Sequence, residues 1–244
     1  MSSLPLPAVV EERLGALAER FGVDAPGRSS LGALLALQAA DMAASTTVRD
    51  PGEAAERHVA DSLVALDLPE VRAARRIADL GSGAGWPGLA LAAALPEASV
   101  SLVESVGKRC DYLERAAEVA GLLNVTVVNA RAEAWPEGIG GHDLVTARAL
   151  AALPVVCEYA APLLEIGGAL VAWKGMVEPH EAADGVAAAG LLGLEPADVV
   201  AVEPFEGARG RTLHVFRKVA STPARFPRRA GMATKRPLRA SFAR

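Results

Sequence analysis

A mainly parallel β-sheet covered by helices on both faces is the fold class that three features of the sequence predict. From Arg76 onward, short apolar runs alternate with stretches of helical periodicity, the pattern of repeated strand–helix–strand units. A glycine-rich turn, Asp79-Leu80-Gly81-Ser82-Gly83-Ala84-Gly85-Trp86-Pro87-Gly88, directly follows the first run. The second run ends on an acid, Glu104, 23 residues past Gly81.

In chain order, residues 5–22 and 29–44 carry apolar side chains at helical spacing, with Gly22 to Gly27 as the break. A third helical stretch begins after Asp50-Pro51, where Asp caps and Pro fits the first turn, and runs through Glu56-Arg57-His58 towards Leu66. Strands are expected at 76–80, 100–104, 125–129, 144–147, 169–174, near 199–203 and at 212–218. Helices at 86–95, 107–120, 151–164 and 179–189 fill the gaps. No crossover helix separates the last two strands, which predicts an antiparallel pair at the sheet edge. The chain thus divides into a helical extension (1–66), a core domain (67–218) and a basic tail (219–244).

Charge is distributed unevenly. Of 25 Lys and Arg residues nine lie between Arg217 and Arg244, whereas all 29 acids precede Ala208. An acidic body with a cationic end points to a polyanionic partner; the plainer reading is a solvated tail. Cys110 and Cys157 form no Cys-x-x-Cys, and the four histidines lack metal-ligand spacing, so no metal site is expected. Neither a secretory signal nor an apolar run long enough to span a membrane is apparent, and the expected location is the cytoplasm.

The glycine loop carries the strongest chemical signal. In an open α/β sheet, ligands bind beyond the carboxyl ends of the strands, and glycine there lets the backbone turn without a Cβ in the way. A carboxylate ending the second strand accepts charge-assisted hydrogen bonds from both ribose hydroxyls of a nucleoside. Gly83 to Gly88 also satisfies G-x-G-x-x-G, a weak pattern alone. A dinucleotide pyrophosphate needs free N–H groups at the helix start, and Pro87 removes one. Asp79 would repel that phosphate, whereas a cationic sulfonium bearing an α-amino group would accept it. The loop therefore favours a Rossmann-like, class I S-adenosylmethionine-dependent methyltransferase over a dinucleotide enzyme or a structural turn. Neither G-x-S-x-G nor a phosphate-binding lysine loop is present.

What accepts the methyl group is constrained by absences. After the fourth strand stands Asp143-Leu144-Val145-Thr146-Ala147-Arg148-Ala149-Leu150, without the Pro pair common in enzymes acting on exocyclic base amines. Cys157 lies in a helical stretch and reads as a small buried hydrophobe rather than a nucleophile. Guanine N7 has an exposed lone pair and no proton, so position, dehydration and electrostatics suffice for its attack.

Several segments, taken together and in order, resemble the bacterial 16S ribosomal RNA guanine-N7 methyltransferase family, also called glucose-inhibited division protein B. They are Glu56-Arg57-His58-Val59-Ala60-Asp61-Ser62-Leu63, the Asp79–Gly88 loop, Ser105-Val106-Gly107-Lys108-Arg109, Arg131-Ala132-Glu133, Ala147-Arg148-Ala149 and Trp173-Lys174-Gly175. The resemblance runs from about residue 40 to the C-terminus and includes the tail from Phe226 to Leu238. It implies methylation of one guanine, at position 527 of the RNA in the usual ribosomal numbering, in naked 16S ribosomal RNA or the small subunit. It also implies a cofactor pocket at Gly81, Trp86, Ala132, Glu133 and Arg148, to which the loop argument adds Gly83, Gly85 and Glu104. The chain departs from the family at Ser45-Thr46-Thr47, where Asn-Leu-Thr is usual, and at Trp86, where Leu or Phe is commoner.

Arg148, Lys174 and His58 are the candidate catalytic residues. Arg148 holds either the cofactor carboxylate or an RNA phosphate. Lys174, ending the fifth strand, is either an RNA contact or a solvated lysine. His58 and Asp61 share a helix face and either line the site or tie the helix to the sheet. The alternatives to guanine-N7 methylation are another RNA base or a small molecule as acceptor, and a non-enzymatic RNA-binding module. Deleting residues 223–244 is expected to weaken RNA binding and leave cofactor affinity nearly unchanged, with Phe226 and Phe242 available to stack on bases.

Overall fold

The computed structural model describes residues 5–240. Helix α1 (Ala8–Phe21) buries Val10, Leu14, Leu17, Ala18 and Phe21, one stripe of a 3.6-residue repeat. It stops at Gly22, whose φ of 69° suits the left-handed turn that closes a helix. Helix α2 (Ala25–Ala40) starts four residues earlier than its periodicity predicts. Asp24 is the reason: its carboxylate accepts from Gly27 N–H at 2.8 Å, and Pro26 sits in the first turn. The six residues from Gly22 therefore contain a helix start as well as a break.

The third helical stretch begins as expected, with Asp50 accepting from Glu53 N–H at 2.8 Å. It is not one regular helix. Helix α3 (Pro51–Ala54) opens into a π-helical turn (Ala55–Ala60), tightens through α4 (Asp61–Leu63) and a 3₁₀ turn (Val64–Asp67), and gives way to α5 (Pro69–Arg72). The wide turn carries His58, and Asp61 follows immediately; such turns recur at functional sites.

Seven strands follow: β1 (Arg76–Leu80), β2 (Ser99–Glu104), β3 (Val125–Asn129), β4 (His142–Arg148), β5 (Leu164–Lys174), β6 (Leu194–Val202) and β7 (Arg211–Lys218). Their order is β3-β2-β1-β4-β5-β7-β6. The first five run parallel, with Leu80 beside both Val103 and Ala147. The last two are antiparallel as expected, but β7 lies between β5 and β6, so β6 alone forms that edge. Between the strands run α6 (Gly88–Ala94), α7 (Gly107–Val119), α8 (Leu153–Ala160) and α9 (Pro179–Leu191). The chain leaves β1 towards β2 and β3, then returns to place β4 on β1's other side. That reversal opens a crevice at the carboxyl ends of β1 and β4.

Two apolar cores cover the sheet. One joins α1, α2 and the 54–74 segment to α6, α7 and one sheet face. The other joins the opposite face to α8 and α9, and Ala233 and Leu238 of the C-terminal segment are buried in it. The basic tail is therefore folded against the domain rather than solvated along its length. It includes a single helical turn, α10 (Met232–Lys235). Phe226 packs against the second core; Phe242 and Arg244 lie outside the described residues. Among the described residues no helix is long and apolar enough to cross a membrane, and no cluster of His, Cys, Asp or Glu could hold a metal ion.

Candidate active site

β1, β2, β4 and β5 end in Leu80, Glu104, Arg148 and Lys174, which border the crevice. Gly81 and Gly85 have φ of 66° and 96°. A Cβ on Gly81 would come within 2.6 Å of Leu150 Cδ1, and one on Gly85 within 2.2 Å of Leu89 Cδ1. Both positions thus require glycine for conformation and for space. Gly83 N–H donates to Glu104 Oε2 at 3.2 Å, and Val106 N–H donates to Oε1 at 2.9 Å. Arg109 stands 3.6 Å from the same carboxylate. The backbone therefore fixes Glu104 before any ligand arrives.

Asp79 does not face the crevice. Its carboxylate accepts from Thr146 Oγ1 at 2.8 Å and from Gly88 N–H at 3.3 Å, wholly inside the fold. Burial pushes its pKa up to about 6, against the opposing effect of its hydrogen bonds. The expected electrostatic role beside a sulfonium is thus corrected: Asp79 caps α6 and links β1 to β4. The cap also weakens the dinucleotide reading. Pro87 has no N–H, Gly88 N–H is engaged by Asp79, and Leu89 N–H by Gly85 O at 2.7 Å. Few N–H groups remain for a pyrophosphate.

Two cavities flank the loop after β4. The larger, about 360 Å³, is lined by Gly81, Glu104, Ala132, Glu133, Tyr159 and Thr234, among others. The smaller, about 210 Å³, is lined by Asp61, Arg148, Trp173, Lys174, Arg211 and Thr212, among others. They share Ala149, Leu150 and Ala151. Ala149, with φ of 54°, is the only non-glycine residue at positive φ among those described. Backbone strain of that kind collects at functional sites.

Asp61 is the hub of the smaller cavity. Its carboxylate receives Arg148 Nη1 and Arg211 Nη1, both at 2.8 Å, while its backbone oxygen accepts from Trp173 Nε1 at 2.7 Å. The helix is thereby tied to β4, β5 and β7 at one residue. Arg148 also donates to Arg57 O at 3.3 Å and approaches His58 Nδ1 at 3.3 Å. His58 lines neither cavity; its ring stacks on Trp86 with centroids 5.6 Å apart, and Nε2 lies 3.2 Å from Thr46 Oγ1. Burial, reinforced by the Arg148 charge, lowers the His58 pKa to about 4, so the ring is neutral near pH 7. Trp86 is buried, donates from Nε1 to Gln38 Oε1 at 2.7 Å, and likewise lines neither cavity. Gly83 and Gly85 shape the loop without lining the larger cavity, whereas Arg148 lines only the smaller. Lys174 is not a free cation: Nζ meets Glu181 Oε1 at 2.6 Å and donates to Ala151 O at 3.2 Å.

Arg211, Leu150, Tyr159 and Thr234 were not legible as site residues. Arg211 reaches Asp61 from 150 positions away, and only the β7 insertion brings it there. Thr234 arrives with the folded tail.

This strand order, with a reversed strand inserted beside the last parallel one, and a glycine loop facing an acid at the end of β2, define a methyltransferase of the Rossmann-like class. A solved 16S rRNA (adenine(1408)-N(1))-methyltransferase from Catenulisporales acidiphilia superposes with a TM-score of 0.51 at 20% identity, covering 63% of this chain and 89% of that one. At that identity the likeness speaks for the fold alone. The family model described as rRNA small subunit methyltransferase G (GidB) matches residues 35–207. The ribosomal RNA small subunit methyltransferase G of Rubrobacter xylanophilus is 46% identical over 197 residues, covering 78% of this chain and 76% of the relative. That of Deinococcus deserti is 38% identical over 233 residues, covering 93% and 96%. The chain belongs to the rRNA small subunit methyltransferase G family.

Proposed function

We propose that this protein transfers a methyl group from S-adenosylmethionine to N7 of one guanine, position 527, in 16S ribosomal RNA, and that it acts in the cytoplasm. One observation carries the reading beyond family membership: a nucleoside-sized cavity and a second, cation-lined cavity adjoin across Ala149–Ala151 at the topological switch point. The first fits the adenosine end of the cofactor. Glu104, pre-oriented by two backbone N–H groups, suits two ribose hydroxyls, and the backbone at Ala132 and Glu133 suits the adenine edge. S-adenosylmethionine, when bound, supplies an electrophilic methyl group on sulfur.

The protein's residues align and desolvate the acceptor. Guanine N7 carries no proton, so no residue need act as a general base, and His58, which lines neither cavity, is spared that role. Asp61 is spent on Arg148 and Arg211, and fixes the direction of both guanidiniums at that cavity. Arg148 serves the acceptor side, and Lys174, through Glu181 and Ala151 O, braces the shared loop.

The test is in vitro methylation with labelled cofactor, offering naked 16S RNA and small subunits in parallel, followed by mapping of the labelled base. Label on N7 of guanine 527 in either substrate supports the reading. Label on another base or only on a small molecule refutes the acceptor, and cofactor binding without transfer to either substrate refutes the enzyme.

A further inference from the structure

Downstream of β7 the chain is pinned repeatedly against the domain, and at two of these points, Glu133 and Tyr159, against the wall of the larger cavity. Lys218 Nζ donates to Leu192 O at 2.9 Å and to the Thr222 hydroxyl, fixing where the segment departs. Arg228 Nε donates to Glu158 Oε1 at 2.7 Å, Glu158 being buried on α8, and Arg228 Nη2 also donates to Arg236 O at 2.9 Å. Gly231 N–H donates to Glu133 Oε1 at 2.9 Å. The hydroxyls of Thr234 and Tyr159 lie 3.2 Å apart, and both residues line the cavity with Ala132 and Glu133. Ala233 and Leu238 are buried beneath. On the outside, Arg225, Arg229, Lys235, Arg236 and Arg239 are exposed.

We infer that residues 223–240 form one wall of the cofactor cavity, held by the positioning residues Glu133, Glu158 and Arg228, and that RNA bound along its outer cations tightens cofactor binding. The inference rests on the methyltransferase reading and extends it. The Glu133 side chain holds the wall, which leaves the backbone at Ala132 and Glu133 for the adenine edge. The segment meets cofactor on one side and phosphates on the other. A ligand that binds only the docked segment shifts its population towards docking, and the coupling must be reciprocal. This reverses the expectation that the tail serves RNA alone and leaves cofactor affinity unchanged.

Calorimetry with S-adenosylmethionine, with and without 16S RNA, tests this on the full chain. Truncation after residue 222 and Arg228→Met should each weaken cofactor binding at least tenfold and abolish the tightening by RNA, with Arg228→Lys partly restoring both. Thr234→Trp, which adds bulk at the cavity without touching the core, should weaken cofactor binding while the melting temperature holds. In turnover, Arg228→Met should raise KM for the cofactor and preserve kcat at saturation, which general destabilisation would not do. Arg229→Gln with Lys235→Gln and Arg239→Gln should leave cofactor affinity in the absence of RNA unchanged and lose most of the tightening. Unchanged cofactor affinity in both Arg228→Met and Thr234→Trp, in a protein whose unmodified form binds and turns over cofactor, would overturn the inference. No RNA effect in the unmodified protein would overturn its coupling part. An unmodified protein that binds no cofactor would instead overturn the methyltransferase reading, and this inference with it.

Discussion

Removing the Asp61 carboxylate leaves two arginines facing each other across a buried point, and their exposures set the cost. Asp61 is 1% exposed, the Arg148 side chain 16% and the Arg211 side chain 36%. Arg211 can turn to water, so its share is that of a half-exposed pair, at most about 1 kcal/mol. Arg148 cannot: its guanidinium would keep only Arg57 O and His58 Nδ1, at 3.3 Å each. Breaking one side of a buried pair costs about 3–5 kcal/mol, because the remaining charge is uncompensated. Asp61→Ala should therefore destabilise the protein by about 3–5 kcal/mol, roughly 6–20 °C in melting temperature for a chain of this size. Arg211→Met should cost about 1 kcal/mol or less. The double variant Asp61→Ala with Arg148→Met should be more stable than Asp61→Ala alone, since the stranded charge is gone. Urea denaturation at pH 7 of the unmodified protein, these three variants and Arg148→Met alone measures all these differences. A loss under about 1 kcal/mol for Asp61→Ala, or simple additivity in the double variant, would refute the hub.

Three further outcomes follow from the geometry. Glu104→Ala should leave the fold intact and weaken cofactor binding roughly ten- to a hundredfold, the worth of charged hydrogen bonds of about 1.5–3 kcal/mol; an unchanged dissociation constant would remove Glu104 from the pocket. Asp79, at about 6 when folded against 3.8 for the free side chain, keeps a proton that the unfolded chain has lost between about pH 4 and 6. Its contribution to stability therefore falls as pH rises through that window, by about 3 kcal/mol. His58, lowered from 6.5 to about 4, opposes it, because there the unfolded chain holds the extra proton and stability rises with pH. Urea denaturation of Asp79→Asn should thus show stability gaining on the unmodified protein by about 3 kcal/mol between pH 4 and 6, and parallel profiles would contradict the buried carboxyl. Gly27→Ala would put a Cβ 2.3 Å from Ala93 O; it should cost about 1–3 kcal/mol by overpacking between α2 and α6, read as a lower melting temperature.

The central sheet was legible because strands buried on both faces are short apolar runs with sharp ends. β1 matches its expected bounds and β2 begins one residue early; β3, a half-exposed edge strand, matches through its β-branched run Val125-Thr126-Val127-Val128 instead. Helix α2 was misplaced because Gly22 to Gly27 holds two signals at once, a left-handed stop at Gly22 and the Asp24-Ala25-Pro26 start. Within the site, the glycine loop and Glu104 announce themselves locally, since tight turning and the strand-end acid are neighbours in sequence. The Asp61 hub does not: Arg148 and Arg211 lie 87 and 150 residues away. The tail was read through its charge, yet Arg228 is a half-buried, paired residue because Glu158, 70 positions earlier, is buried beneath it. Trp86 followed the same rule, its indole N–H being claimed by Gln38 rather than by a ligand pocket.

The most direct test of the account takes the ribosomal RNA of cells that lack this protein. Mass spectrometry of nuclease fragments spanning guanine 527 reports the modification on one nucleotide, without assuming which form of the substrate is used. Absence of the methyl group at that guanine, its return on expression of the intact protein and its failure to return with Glu104→Ala are the predicted results. A fully methylated guanine 527 in the deleted cells, or equal restoration by the Glu104→Ala variant, would contradict the account.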